Sequence, residues 1–281
     1  MEKTLRIGTA YDIFISSASE KIEVLLSEKG IRCESVFIKS ESGKNFQTLF
    51  YDAIKENKID TVPFELSLLP VYTATDEIIV SAISGRITEG EGILLNDTNI
   101  RSDQHHPMQP DLKIGVKNER QQKQLENIFP EQKFIILEES LVTNHQICIP
   151  EDLDGIIISK STHVLFFDKI IDCKFIGLHP KELIPAPGQG IVAYLCHRED
   201  ISTRRVLNLI HQRSWVNISN TERRVLKMAG NEFANSLGVY CQTDPRGYFH
   251  VHAVRCDQFK KVSFSQSISD GLPEKIYQSL F

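Results

Sequence analysis

What most limits the fold of this chain is a recurring alternation of short apolar runs with segments of helical period. Residues 5–8 read as a short buried strand, and residues 18–29 place Ile22, Leu25 and Leu26 at helical spacing before Gly30 ends the pattern. A strand at 34–38, a helix at 46–55 and a strand at 59–62 follow. The cycle resumes at 113–116 (strand), 119–128 (a polar helix), 133–137 and 155–159 (strands). Strands separated by helices need crossover connections, so the pattern predicts an α/β architecture with parallel sheets.

Between these two runs, residues 96–111 are polar, carry Pro107 and Pro110 and hold little apolar content, the mark of a linker or loop. From Trp215 the texture changes. A helix at 221–228 leads into strands at 239–242, 249–255 and 262–267, with Asp244-Pro245-Arg246-Gly247 as a hairpin turn and a closing helix at 273–280. Residues 215–281 are therefore expected to form a small α+β third domain. A length of 281 residues accommodates such a division.

Composition narrows the function. Thirty-two basic against thirty-seven acidic residues give a formal charge of -5, which argues against electrostatic binding of nucleic acid. The longest apolar runs are far short of the roughly 20 residues of a membrane helix. The first residues lack the apolar core of a signal peptide, so a cytoplasmic address is expected. Six cysteines, at 33, 148, 173, 196, 241 and 256, form no CxxC pair and no metal-ligand spacing, and are expected to be reduced packing residues. His105 and His106 stand without further ligands in the polar stretch, so no metal is expected.

Three stretches, in order, carry a resemblance: Leu5-Arg6-Ile7-Gly8-Thr9; Leu183-Ile184-Pro185-Ala186-Pro187-Gly188-Gln189-Gly190; and Thr221-Glu222-Arg223 with Gly238-Val239-Tyr240. Together they resemble the hydroxymethylbilane synthase (porphobilinogen deaminase) family, transferases of porphyrin biosynthesis that join four porphobilinogen units into a linear tetrapyrrole. The resemblance implies two periplasmic-binding-protein-like α/β domains joined by a hinge, plus a small α+β C-terminal domain bearing a covalent dipyrromethane primer. On that pattern the chain returns to its first domain, giving domain 1 as 1–95 with 188–212, domain 2 as 112–187 and domain 3 as 215–281.

The same resemblance exposes departures. The family's catalytic Asp lies in a segment that here reads Ile59-Asp60-Thr61-Val62-Pro63-Phe64-Glu65-Leu66-Ser67-Leu68, with Leu68 at the Asp position and Ser67 at that of a neighbouring lysine. Leucine can neither exchange a proton nor stabilise a cation, a contribution typically worth about 10²- to 10⁴-fold. Glu65 is a nearby carboxylate but does not stand where Leu68 stands. The primer cysteine belongs in residues 230–237, where Phe233 takes its place, or Glu232 if the alignment slips by one. Cys241 falls within a strand and reads as packing.

A polyanionic product calls for arginines with their planar fork. One such arginine becomes Ala10, and others read as Glu138, Asn144 and Leu165. Arg120 is retained. Lys39, Lys44, Lys117 and Lys160 lie near the implied cleft. The glycines of Gly188-Gln189-Gly190 fit either a demand of backbone geometry or contact with a ligand. The resulting expectation is a pseudoenzyme or ligand-binding relative with no cofactor. It would take a small anionic or pyrrole-like ligand through Thr9, Lys117, Arg120, Gly188, Gln189 and Gly190, or act through a protein partner of the tetrapyrrole pathway. The alternative is an active synthase with relocated catalytic groups.

Overall fold

The computed structural model describes residues 4–39, 45–71, 76–100, 108–137, 142–143, 146–147, 149–166, 170 and 172–281. In chain order its elements begin with β1 (Leu5–Thr9), α1 (Ile13–Ser27), β2 (Cys33–Phe37), α2 (Phe46–Lys55), β3 (Val62–Glu65), β4 (Ile78–Arg86) and β5 (Glu91–Asn96). Then come β6 (Lys113–Val116), α3 (Glu119–Ile128), β7 (Lys133–Ile136), β8 (Val142–Thr143), β9 (Gln146–Ile147), β10 (Gly155–Ser159), α4 (Lys160–Phe166) and β11 (Cys173–Gly177). The last part holds β12 (Ile191–His197), α5 (Ile201–Leu207), α6 (Val216–Ala229), β13 (Leu237–Thr243), β14 (Phe249–Arg255), β15 (Lys260–Gln266) and α7 (Leu272–Leu280). The fold class is mixed α/β. The chain divides into two compact units, Met1–Ile87 with Ile191–Val216, and Thr88–Gly190 with Asn217–Phe281.

In the first unit β1 pairs in parallel with β2, Ile7 bridges Thr61 at the entrance to β3, and β12 lies between β3 and β4, antiparallel to both. β12 is buried on both faces. Ile191, Ala193 and Leu195 enter a core with Phe50, Ile54 and Val62, while Val192, Tyr194 and Cys196 enter another with Ile7, Ile22 and Leu26. Alternation of side chains along a strand lets one segment close two cores.

The second unit holds the order β11-β5-β10-β6-β7, with β6 parallel to β7 and β10, and β5 antiparallel to β10 and β11. Across the Ile7–Thr61 bridge the first unit's strands follow β2-β1-β3-β12-β4, the same spatial arrangement as β7-β6-β10-β5-β11, with one strand in each (β12, β5) inserted antiparallel although β12 follows its neighbours in the chain and β5 precedes its own. The same unit contains the antiparallel meander β13-β14-β15, with α7 packed on β15.

Several sequence expectations change. The sheets are mixed where parallel ones were expected, because the inserted strands run against their neighbours. β5 precedes the polar stretch, and so fell within the span 1–95 expected for domain 1, yet it pairs in the second sheet, where Ile93, Leu94 and Leu95 are buried. Helix α1 begins at Ile13 rather than at residue 18 because the Asp12 side chain accepts from the Ile15 N–H at 3.0 Å and so caps it. The strand expected at 59–62 begins at Val62, since the Asp60 carboxylate accepts from the backbone N–H and guanidinium of Arg6. Helix α6 starts five residues before the expected 221.

Candidate functional site

In the second unit, Gly188 and Gly190 adopt φ of 88° and 78°, the left-handed region that glycine enters without the Cβ penalty. Gln189 closes the turn on Ala186: its backbone N–H donates to the Ala186 carbonyl at 3.0 Å, and its side-chain oxygen accepts from the Ala186 N–H at 3.1 Å. The turn is pinned from α6. There Glu222 sits on the buried helical face with Ile218, Val225 and Leu226; its Oε2 accepts from the Gly188 N–H and its Oε1 from the Cys241 N–H, both at 2.7 Å. One carboxylate thereby ties the turn to β13, which accounts for the glycines by backbone geometry.

Arg120, expected to meet a ligand, is instead buried. Its Nη1 donates to Glu91 Oε2 at 2.8 Å and to the Ile184 carbonyl at 2.7 Å, and Nη2 donates to Glu91 Oε1 at 3.0 Å. Glu91 is also held by Gln121 Nε2 at 2.6 Å, and Gln124 exchanges bonds with both the carbonyl and the N–H of Ile184. The physical reason is the placement of α3. Asn118 caps it by accepting from the Gln121 N–H at 3.1 Å, and its Arg120-Gln121-Gln124-Leu125 face turns into the unit. The guanidinium lies where β5, α3 and the segment before the glycine turn meet, and it joins them; the backbone N–H of Arg120 adds a bond to the Asn235 carbonyl.

Lys117 is exposed, and its backbone N–H donates to Gln121 Oε1. Thr9 is half-buried at the end of β1, in the other unit, where its carbonyl accepts from the Ile38 N–H. Arg120 and the Gly188–Gly190 turn thus share a unit, as structural ties. Lys39 and Lys160 are exposed, Ala10 is buried and Leu165 is half-buried. Lys44, His105, His106, Glu138, Asn144 and Cys148 lie outside the described residues. Among the described residues no three His, Cys, Asp or Glu side chains gather to hold a metal ion, and no helix is long and apolar enough to cross a membrane.

Leu68 ends a single 3-10 turn, Leu66–Leu68, and is 69% exposed. Beside it the Ser67 hydroxyl donates to Glu65 Oε1 at 2.9 Å. Phe233 lies in a short 3-10 turn after Gly230 and packs edge-on against Phe281, the ring centroids 4.9 Å apart. The Arg255 guanidinium covers both rings, 5.2 Å from Phe233 and 4.2 Å from Phe281, and is itself paired with Asp257. Burial pushes the Cys196 thiol up to about 11 and the Cys256 thiol up to about 12; burial also raises Cys33 and Cys173. Cys241 is buried in β13. A raised thiol is a poor nucleophile near neutral pH.

Sequence reading missed Glu91, Gln121 and Gln124 as partners of Arg120. The available signal was an acidic residue, Glu91, opening an otherwise apolar strand, for a charge there needs a buried counter-charge.

No sequence-family model matches the chain. Curated relatives do. The chain is 26% identical over 289 aligned positions to a protein named porphobilinogen deaminase from Caldicellulosiruptor saccharolyticus, covering 96% of each chain. It is 24% identical over 276 positions to a probable porphobilinogen deaminase from Methanocaldococcus jannaschii, covering 92% of this chain and 91% of that one. Solved structures similar to it include the GluR0 ligand-binding core in complex with L-glutamate (TM-score 0.41, 10% identity, 74% of this chain and 90% of that one). Another is an ancestral cationic amino acid solute binding protein (TM-score 0.44, 14% identity, 80% and 94%).

Proposed function

We propose that this chain, a divergent relative of the porphobilinogen deaminases, is a non-polymerising, ligand-binding member of the tetrapyrrole biosynthesis group rather than a working synthase. The observation that carries this reading is Leu68. The segment that bears the catalytic Asp in the family here forms a 3-10 turn, with an apolar side chain standing in water at that position. Nothing about a leucine supplies acid-base help or counter-charge.

Residues 230–237 do not fit a thioether-bound dipyrromethane. They contain no thiol, and Phe233 is engaged with Phe281 and Arg255. The described cysteines whose thiols shift are all pushed up, away from the thiolate that such attachment needs. The one arginine retained from the family's cationic set, Arg120, is committed to Glu91.

Incubation of the purified protein with porphobilinogen, followed by acid oxidation, tests the reading. No porphyrin absorbance above a protein-free blank is expected. Sustained colour formation overturns it.

A further inference from the structure

Along β14, Val251 and Ala253 are buried, and strand alternation carries His250 and His252 to the opposite face of the meander. The register with β15 sets Ser265 across from His250, Ser263 across from His252 and Lys261 across from Val254, so these polar side chains share that face. Each imidazole is held by the serine opposite it, Nδ1 to Oγ at 2.8 Å in both pairs. The turn after β11, residues 179–182, meets the same face. Lys261 Nζ donates to the Glu182 carbonyl at 3.4 Å, and Lys181 and His179 stand close enough for their charges to act on His252.

The acids nearby are already committed. Asp244 accepts from the Arg246 and Tyr248 N–H groups and pairs with His250 Nε2 at 3.2 Å. Glu182 accepts from the His179 N–H at 3.0 Å, and Glu89 from the Tyr240 hydroxyl at 2.6 Å. The bases are not so engaged. The Lys181 N–H donates to His179 Nδ1 at 3.1 Å, so a neutral His179 carries its proton on Nε2. Among the described residues neither that Nε2, nor His252 Nε2, nor the Lys181 ammonium has an acceptor. Burial, then the charges of Lys181, His250 and His179, all lower the proton affinity of His252, and no carboxylate among the described residues offsets them. No arginine stands in the set. A guanidinium fork matches a planar carboxylate, whereas lysine meets a phosphate as a point charge and histidine adds a single N–H.

We propose that His179, Lys181, His252 and Lys261 form a binding site for a tetrahedral oxyanion, either free or carried as the phosphate group of a larger molecule. The site lies wholly within the second unit and does not depend on the non-polymerising reading.

Sulfate is the first probe, since it stays doubly charged from pH 5.5 to 8. It is titrated into the full chain at constant ionic strength and followed by the carbon-bound imidazole proton signals in NMR. At pH 6 sulfate should shift the His179 and His252 signals saturably, and at pH 8, where imidazoles are neutral, it should bind about tenfold more weakly. Acetate, planar and singly charged, should leave both signals in place. Lys181 is exposed, so Lys181→Met should weaken sulfate binding by about fivefold with an unchanged thermal midpoint. His252→Gln should weaken it similarly, read from the His179 signal. Lys21→Met, an exposed site in the other unit, should have no effect. Inorganic phosphate and glycerol phosphate separate the two sources: tighter binding of the free ion or of the ester names which one the site takes, and either supports it. Absence of saturable shifts, equal affinity at pH 6 and 8, an equal response to acetate, or indifference to the Lys181 and His252 variants overturns the proposal. None of these outcomes bears on porphobilinogen turnover.

Discussion

Arg120 and Glu91 are joined by two parallel charge-assisted hydrogen bonds, 2.8 and 3.0 Å long, with both side chains almost wholly removed from water. A pair so placed costs desolvation, and its worth shows when one partner is taken away. Arg120→Met strands the Glu91 carboxylate and should destabilise the second unit by about 3–5 kcal/mol. The double variant Arg120→Met with Glu91→Leu should recover a large part of that loss. Urea midpoints of the two variants, read against the unaltered chain, check the order.

The Glu222 clamp carries its own expectation. Glu222→Ala leaves the Gly188 and Cys241 amides buried without their acceptor, at about 1–3 kcal/mol each. Amide hydrogen exchange should quicken at both Gly188 and Cys241, on two segments far apart in sequence. Acceleration at one alone contradicts the clamp.

His211 predicts an acid limb of stability. Its Nδ1 accepts from the Ile83 N–H at 3.1 Å, and burial, followed by the charge of Arg213, lowers its affinity for a proton. The unfolded chain therefore binds more protons than the folded one below the ordinary imidazole value of about 6.5, and stability falls as pH drops from there through the lowered folded value. Denaturant midpoints measured from pH 7.5 to 5 should decline. His211→Gln should make that decline shallower, with the slopes due to His163 and His252, also lowered by burial, remaining.

Restoring one carboxylate should not restore chemistry. Leu68 is exposed, so Leu68→Asp is expected to change stability by no more than about 0.5 kcal/mol. Porphyrin formation should stay absent in that variant, because residues 230–237 still hold no thiol and Arg120 is still committed to Glu91. Absorbance after incubation with porphobilinogen and acid oxidation is the readout.

What was legible in the sequence follows from how local each signal is. The helices at 46–55 and 119–128 and the strand at 249–255 agree with α2, α3 and β14 residue for residue, since the spacing that marks them lies within the segments themselves. The antiparallel insertion of β12 and β5 was not legible from periodicity, because a strand buried on both faces has no alternation to read. Leu68 and Phe233 were found through the resemblance. Their surroundings, a solvent-facing turn and a ring beneath Arg255, depend on packing that no motif encodes. The role of Arg120 turned on Glu91, 29 residues earlier and on another element. A residue type known to bind anions gave no hint that this chain supplies its own.

The central claim, that the chain carries no covalent primer and builds no tetrapyrrole, is tested most directly by intact-protein mass spectrometry after incubation with porphobilinogen. The account predicts a single species at 32.0 kDa, the mass of the unmodified chain. A species heavier by two pyrrole units, stable to denaturation, would contradict it.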